Sequence, residues 1–284
     1  VLAVHRRGRG DPTFATDGEG AVWRTAWTPD GPGTVRLAAT AGALDVRAWG
    51  PGAAWLCERA PDWVGGCDDP EGFRPDRQVL VDGARRTGGP RLGRTGLVWE
   101  ALVPAVLEQK VTGRQARDSW RTLLLRHGPP APGPTPVPLR VVPSPRTWAA
   151  LPDWEWQRAG VTPQRRDTVR RAARVAARLE EAGAVSSAAL DRRLRSVPGI
   201  GPWTAAETEQ RALGDADAVS VGDLHVPRLV VFALTGRVSD SDEQMLALLE
   251  PYRGHRFRVQ RLLELTTSAP RFGPRYAPLD FRDR

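Results

Sequence analysis

Hydrophobic and polar residues alternate in short runs along the first part of the chain. Ala21-Val22-Trp23-Arg24-Thr25-Ala26-Trp27, Thr34-Val35-Arg36-Leu37-Ala38 and Ala43-Leu44-Asp45-Val46-Arg47-Ala48-Trp49 have the period of two expected of half-buried strands. The separators, Pro29-Asp30-Gly31-Pro32-Gly33 and Gly50-Pro51-Gly52, are turn-forming. An antiparallel sheet is expected between about residues 13 and 81, with Trp23 and Trp27 on one face. After the Pro-, Gly- and Arg-rich stretch 83–93 the period changes, and the apolar series that starts at Leu97-Val98-Trp99 continues at helical spacing through Val106 and Leu107. Helices are expected from there on. Segment 128–138 is the exception: six prolines in eleven positions exclude regular structure and mark an exposed connector. The pattern predicts an α+β fold: a β-rich N-terminal region over 1–93, an all-α region over 94–269 and a basic tail over 270–284.

Two helical stretches carry further information. Over 163–181, Val169, Ala172, Ala173, Ala176 and Leu179 form an apolar stripe, while Arg166, Arg170, Arg171, Arg174 and Arg178 occupy the other faces. Such a run reads as a solvated basic face or as a surface turned toward a polyanion. In the second stretch, Leu194-Arg195-Ser196-Val197-Pro198-Gly199-Ile200-Gly201-Pro202-Trp203-Thr204-Ala205 lies between helix-forming segments. Pro198 ends one helix, Gly199 and Gly201 permit a tight bend, Ile200 can bury its side chain beneath it, and the next helix starts near Pro202. The free amides at that helix start, with glycines that allow close approach, suit a phosphate and carry no sequence reading.

Composition narrows the function classes. The 284 residues are 40% hydrophobic and 26% charged, the balance of a globular protein large enough for two packed units. No apolar run reaches membrane-spanning length, the segment around His5, Arg6 and Arg7 lacks the apolar centre of a signal peptide, and a cytoplasmic location is expected. A net charge of +8 favours an anionic partner. Lys110 is the single lysine among 41 basic residues, so part of the arginine excess reflects codon usage in a GC-rich genome. His5, His127, His225 and His255 are scattered without metal-ligand spacing, and Cys57 and Cys67 read as two reduced thiols in or near a core.

The hydrophobic-Pro-Gly-hydrophobic-Gly string followed by Thr204-Ala205 resembles the helix-hairpin-helix DNA-binding motif. Asp223, in Val219-Ser220-Val221-Gly222-Asp223-Leu224-His225, follows Gly201 by twenty-two residues. With that aspartate the chain resembles the helix-hairpin-helix DNA glycosylase superfamily, closest to the bacterial inducible 3-methyladenine DNA glycosylases. In those enzymes an aspartate stands at the start of the next helix, about twenty residues after the hairpin. Val106-Leu107-Glu108-Gln109-Lys110-Val111-Thr112 resembles the segment that fills the gap left by a flipped base. The N-terminal region loosely resembles the domain that precedes the helical part in the 3-methyladenine enzymes.

The resemblance implies a monofunctional glycosylase of base excision repair that acts on alkylated or otherwise modified bases in double-stranded DNA, as a monomer. It makes Asp223 the catalytic carboxylate, which would stabilise the positive charge that builds on the sugar as the N-glycosidic bond breaks. A simple helix cap is the alternative for this residue. Trp203 stands where bifunctional relatives carry a Schiff-base lysine; it becomes a base-stacking residue of the pocket, or else a core aromatic. Glu207 occupies a position that several alkylation-specific relatives give to an aromatic, so it either meets the flipped base or pairs with an arginine. Gln109, Lys110, Thr112, Gly199, Ile200, Gly201 and Thr204 are implied at the DNA contact, with Lys110 as the gap-filling side chain or an exposed loop lysine. No cofactor is implied: the iron-sulfur subgroup needs four cysteines near the end of the helical part, and none follows Cys67. A monovalent cation held by backbone carbonyls around Arg195, Val197 and Ile200 is implied instead. A non-catalytic damage sensor, and a glycosylase for oxidised or mispaired bases, are the competing readings.

Overall fold

The computed structural model describes residues 1–268. Strands β1 (Phe14–Thr16), β2 (Val22–Thr28), β3 (Gly31–Thr40) and β4 (Ala43–Trp49) form one antiparallel meander in that order. Trp23 lies opposite Arg36, and Val35 opposite Ala48. The sheet ends at Trp49, well short of residue 81. Beyond the Gly50-Pro51-Gly52 turn the chain enters α1 (Ala53–Trp63), and α2 (Gln78–Thr87) follows. Leu56, Ala60 and Trp63 fall at i, i+4 and i+7, a helical spacing partly hidden by Pro61 and by the glycines on either side.

Both faces of the sheet are covered. Ala26, Val35 and Leu37 pack on Leu56, Ala60 and Trp63 of α1. On the other face Trp23 stacks on Trp49 with ring centroids 5.1 Å apart, and Leu139 joins them. Leu139 follows directly on the proline-rich connector, which is irregular, as the prolines require, yet lies across the sheet instead of standing free.

The helical part has two cores. The first is built by α3 (Val98–Leu107), α4 (Gly113–His127), α5 (Pro145–Ala150), α6 (Asp153–Arg158), α7 (Pro163–Arg174), α8 (Ala176–Val185), α9 (Ser187–Arg195) and α10 (Pro202–Ala212). Its centre is α3, buried along its whole length. The arginine-rich stretch expected as one helix breaks at Val175, which leaves the helical region at φ −118° and ψ 12°. The second core joins α11 (Val226–Thr235), α12 (Asp242–Leu249) and α13 (Arg256–Thr266) to Leu80 of α2. Residues 78–87 thus pack with the C-terminal helices and not with the sheet that precedes them. Among the described residues no helix is long and apolar enough to cross a membrane. The basic tail expected over 270–284 lies outside the described residues.

Ion pairs tie these units together. Arg258, 1% exposed, grips both carboxylate oxygens of Asp68 at 2.7 Å and donates to the carbonyls of Pro90 and Asp69. Glu100 of α3 accepts from the Trp27 amide and lies 3.6 Å from Arg24, whose guanidinium sits over the Trp63 ring. Burial pushes the Glu100 carboxyl up to about 7 despite Arg24. Burial, with Asp191 and Asp215 nearby, pushes Glu209 of α10 up to about 8. Both groups stay protonated in the folded chain at pH values where an unfolded glutamate has lost its proton, so stability should fall as pH rises from about 5 to 8. Glu209→Gln is expected to flatten this decline by removing one of the two titrations, which thermal unfolding at pH 5 and pH 8 would detect. Equal slopes in the two proteins would contradict the assignment.

Candidate active site

The site forms at the seam between the two helical cores. From the first core comes the bend between α9 and α10. Gly199 has φ +99°, and a Cβ placed there would stand 2.1 Å from the Thr168 hydroxyl, so only glycine fits. Gly201 has an ordinary φ of −99° with nothing within 4 Å of its would-be Cβ, so the space before it is open. Ile200, 6% exposed, anchors the bend in the first core. α10 starts at Pro202, which lacks an amide where one would go unpaired in any case.

The turn after α3 packs directly on this bend. Gln109 donates to the Gly199 carbonyl at 2.9 Å and to the Thr204 hydroxyl at 2.8 Å. Thr204 is 2% exposed, so it braces the bend from within and offers no surface to a phosphate. Thr112 caps α4 in a reciprocal pair with Gln115. Between Gln109 and Thr112 the chain turns through Lys110, exposed and held at φ +54°; it is the one non-glycine residue with positive φ among the described residues. Such a conformation costs about 1–2 kcal/mol and persists where the surroundings impose it. Two arginines fix the base of this turn: Arg165, 3% exposed, donates to the Leu107 carbonyl, and Arg7 pairs with Glu108 at 3.0 Å. Burial lowers the Arg165 guanidinium to about 10.

The second core contributes Asp223, three residues ahead of α11. Its Oδ1 accepts from the amides of His225 at 2.7 Å and Val226 at 2.9 Å, at the helix start where a negative charge is favoured. Its Oδ2 accepts from the Trp203 indole at 2.9 Å. The residue that caps the helix start and the residue that meets Trp203 are therefore one position. An ionised carboxylate oxygen accepts about two hydrogen bonds, so Oδ1 is saturated and Oδ2 keeps one direction open. Gly222, at φ +87°, lets the chain turn just before Asp223, and its amide donates to Asp242.

Glu207 lies one turn beyond Trp203 and is 8% exposed. Its Oε2 pairs with Arg211 at 2.7 Å and its Oε1 accepts from the Ser220 hydroxyl at 2.6 Å. Of the two expectations for this residue, the geometry gives the arginine pair. Gln210 adds bonds to the Ala218 carbonyl and the Ser220 hydroxyl, and these contacts together tie the segment leading to Asp223 onto α10. Nothing local marked Ser220 or Arg211 in the sequence, because their partners are set by how that segment folds back. Cys57 and Cys67 are both exposed, contrary to the core placement expected of them, and the Asp62 carboxylate that bonds the Cys67 thiol raises its pKa. Of the carbonyls expected around a cation, that of Val197 accepts from the Ile200 amide and keeps one lone pair.

The backbone resembles solved structures of DNA glycosylases. A 3-methyladenine DNA glycosylase from Archaeoglobus fulgidus superposes with a TM-score of 0.73 at 17% identity, over 94% of each chain. An 8-oxoguanine glycosylase/lyase from Clostridium acetobutylicum, bound to double-stranded DNA with cytosine opposite 8-oxoguanine, gives 0.70 at 11% identity, over 90% of this chain and 87% of that one. The chain has the helix-hairpin-helix DNA glycosylase fold. A 3-methyladenine DNA glycosylase from Schizosaccharomyces pombe in complex with abasic DNA gives 0.54 at 18% identity, over 68% of this chain and 91% of that one. No protein-family model matches the sequence, and no curated protein matches it. Within the glycosylase fold the hairpin, the turn at Lys110 and Asp223 are joined by two side chains, Gln109 and Trp203.

Trp203→Phe keeps the aromatic ring and removes the donor to Asp223. If the chain cleaves N-glycosidic bonds and the indole positions the carboxylate, single-turnover release of a base should slow about tenfold while affinity for an abasic duplex holds. An equal loss in both would assign Trp203 to binding alone.

Proposed function

We propose that this chain is a monofunctional DNA glycosylase that everts a modified base from duplex DNA and hydrolyses its N-glycosidic bond, with alkylated purines as the preferred class. The observation that carries the reading is the Trp203–Asp223 hydrogen bond, because it brings a carboxylate from one helical core to the glycine bend of the other. Phosphates bound at the bend would set the strand so that the sugar of an everted nucleotide meets Asp223. As the bond to the base lengthens, positive charge spreads over C1′ and the ring oxygen, and the carboxylate stabilises it electrostatically. The open direction on Oδ2 is the one that would face C1′ or orient the attacking water. Eversion costs a few kcal/mol, least at a damaged pair. Lys110, exposed at the tip of a turn bent to positive φ, would fill the gap through its alkyl stem, and its exposure supports that reading.

Two features favour alkylated purines. The Trp203 ring provides a π surface, and a cationic alkylated base is attracted to such a face and is already a good leaving group. Glu207 is held by Arg211 and Ser220, so its carboxylate is not free to read a neutral oxidised base. Position 203 carries no lysine, which supports base release without strand cleavage. The carbonyls around Arg195, Val197 and Ile200 would hold a monovalent cation between the bend and a phosphate. A cytoplasmic monomer remains part of the proposal.

Single-lesion duplexes carrying alkylated, deaminated or oxidised bases test it directly. Release of 3-methyladenine or 7-methylguanine with an intact abasic strand is expected, and borohydride should trap no protein-DNA adduct. Release of 8-oxoguanine alone, or a trapped adduct, would overturn the substrate class or the monofunctional chemistry respectively.

A further inference from the structure

The arginines of α7 to α9 separate into two groups once their partners are known. Arg166 pairs with Asp153 and Asp167, and Arg170 with Asp153 and the Leu151 carbonyl, so these two hold α6 and the segment before it against α7. The others point elsewhere. Arg171 donates to the Pro198 carbonyl at the glycine bend. Among the described residues, the guanidinium groups of Arg174, Arg178, Arg192 and Arg193 have neither a hydrogen bond nor an ion pair, and all four are exposed. Between α8 and α9 lies a groove of about 450 Å³, lined by Arg178, Arg192 and Arg193, with Glu181 as its one acid. Ser196, two residues before Pro198, also lines it, so the lining reaches the C-terminal end of α9, where the chain runs into the bend.

We propose that this groove is a second DNA contact, which takes the sugar-phosphate backbone of the duplex beyond the phosphates held at the glycine bend. The proposal rests on the glycosylase reading and extends its footprint. Three arginines against one glutamate leave a net positive charge with no protein partner, which is the complement of a phosphate row. Arg192 stands three residues, about 4.5 Å of helical rise, before the end of α9 at Arg195, and Pro198 of the bend is three residues further along the chain. A strand leaving the bend on the side of α9 would meet the groove within a few nucleotides at about 3.4 Å each. Since the contact involves charge and no base edge, it adds affinity without sequence preference.

The test is equilibrium binding of the full chain to undamaged duplex over a range of salt. Each phosphate contact contributes about 0.9 to the slope of log affinity against log salt. Arg178→Gln/Arg192→Gln/Arg193→Gln should make the slope roughly 2–3 less steep and weaken binding at least tenfold at about 0.1 M salt. A control that removes the same charge from remote exposed sites, Arg47→Gln/Arg59→Gln/Arg85→Gln, should change the slope far less. Duplexes shortened from each end in turn add a second readout. Shortening at one end should cost the native chain the affinity that the groove variant has already lost, and cost the variant little. An unchanged slope in the groove variant, or an equal change in the control, would overturn the second contact even if base release is intact. A steep slope without release of any base would overturn the glycosylase reading and leave the groove standing, and failure to bind DNA would overturn both.

Discussion

Asp223→Asn is expected to reduce base release by about a hundredfold to a thousandfold while duplex binding persists, a loss of ~3–4 kcal/mol of transition-state stabilisation. The substitution removes the negative charge and nearly preserves shape, but its hydrogen bonds need care. Oδ1 accepts two backbone amides and Oδ2 accepts the indole N–H, so an asparagine must turn its NH2 toward at least one donor. The favoured orientation keeps the oxygen on the two amides and sets NH2 against Trp203. A loss of activity in Asp223→Asn alone thus mixes missing charge with a displaced side chain. The double variant Asp223→Asn/Trp203→Phe separates them, since it has no indole donor to repel. If charge is what the reaction needs, the double variant stays as inactive as Asp223→Asn; if geometry is the cause, it recovers toward Trp203→Phe. Base release at the native rate in both would reduce Asp223 to a helix cap and favour a damage sensor without catalysis.

The second large effect separates the two glycines of the bend. Gly199→Ala should destabilise the fold by several kcal/mol, because it combines about 1–2 kcal/mol for a left-handed alanine with a Cβ overlapping the Thr168 hydroxyl. The bend cannot relax freely, since its carbonyls at Pro198 and Gly199 are held by Arg171 and Gln109. Denaturant unfolding should record a lower midpoint with little change in slope. Gly201→Ala should do the reverse. Its φ is ordinary and its surroundings are empty, so stability should change by less than about 1 kcal/mol. The added methyl would occupy the space through which a phosphate approaches, and duplex affinity should drop about tenfold or more. Equal effects of the two substitutions on stability would mean that the bend is only a structural turn.

The hairpin could be read in the sequence because its requirements are local. A proline to stop one helix, a glycine for positive φ and an apolar residue between two glycines constrain neighbouring backbone angles whatever surrounds them. The place of Asp223 ahead of a helix was legible for a related reason: a carboxylate just before a helix start is a short-range arrangement, and the resemblance pointed to an aspartate about twenty residues beyond the bend. The helices α1 and α2 were less legible, since each is short and bordered by glycine and proline. Glu207 shows the limit most plainly. Its helical position was evident, but whether it met a base or an arginine depended on Ser220 and Arg211, which reach it from a returning segment and from the next turn of its own helix.

By itself, then, the sequence determined what backbone geometry and periodicity can encode: a meander of strands, a bundle of helices, one glycine bend and an acid near a helix start. Tertiary packing decided the rest. It placed Gln109 against Gly199, ninety residues away, and brought Trp203 from one core to Asp223 at the edge of the other. It also divided a single basic run into arginines that hold helices together, one that meets the bend and two left facing solvent. The physical reason is the range of the interactions. Backbone preferences act over a few residues, whereas the partner of a charged or hydrogen-bonding side chain is fixed only when distant apolar faces are buried against each other and bring the two groups within 3 Å.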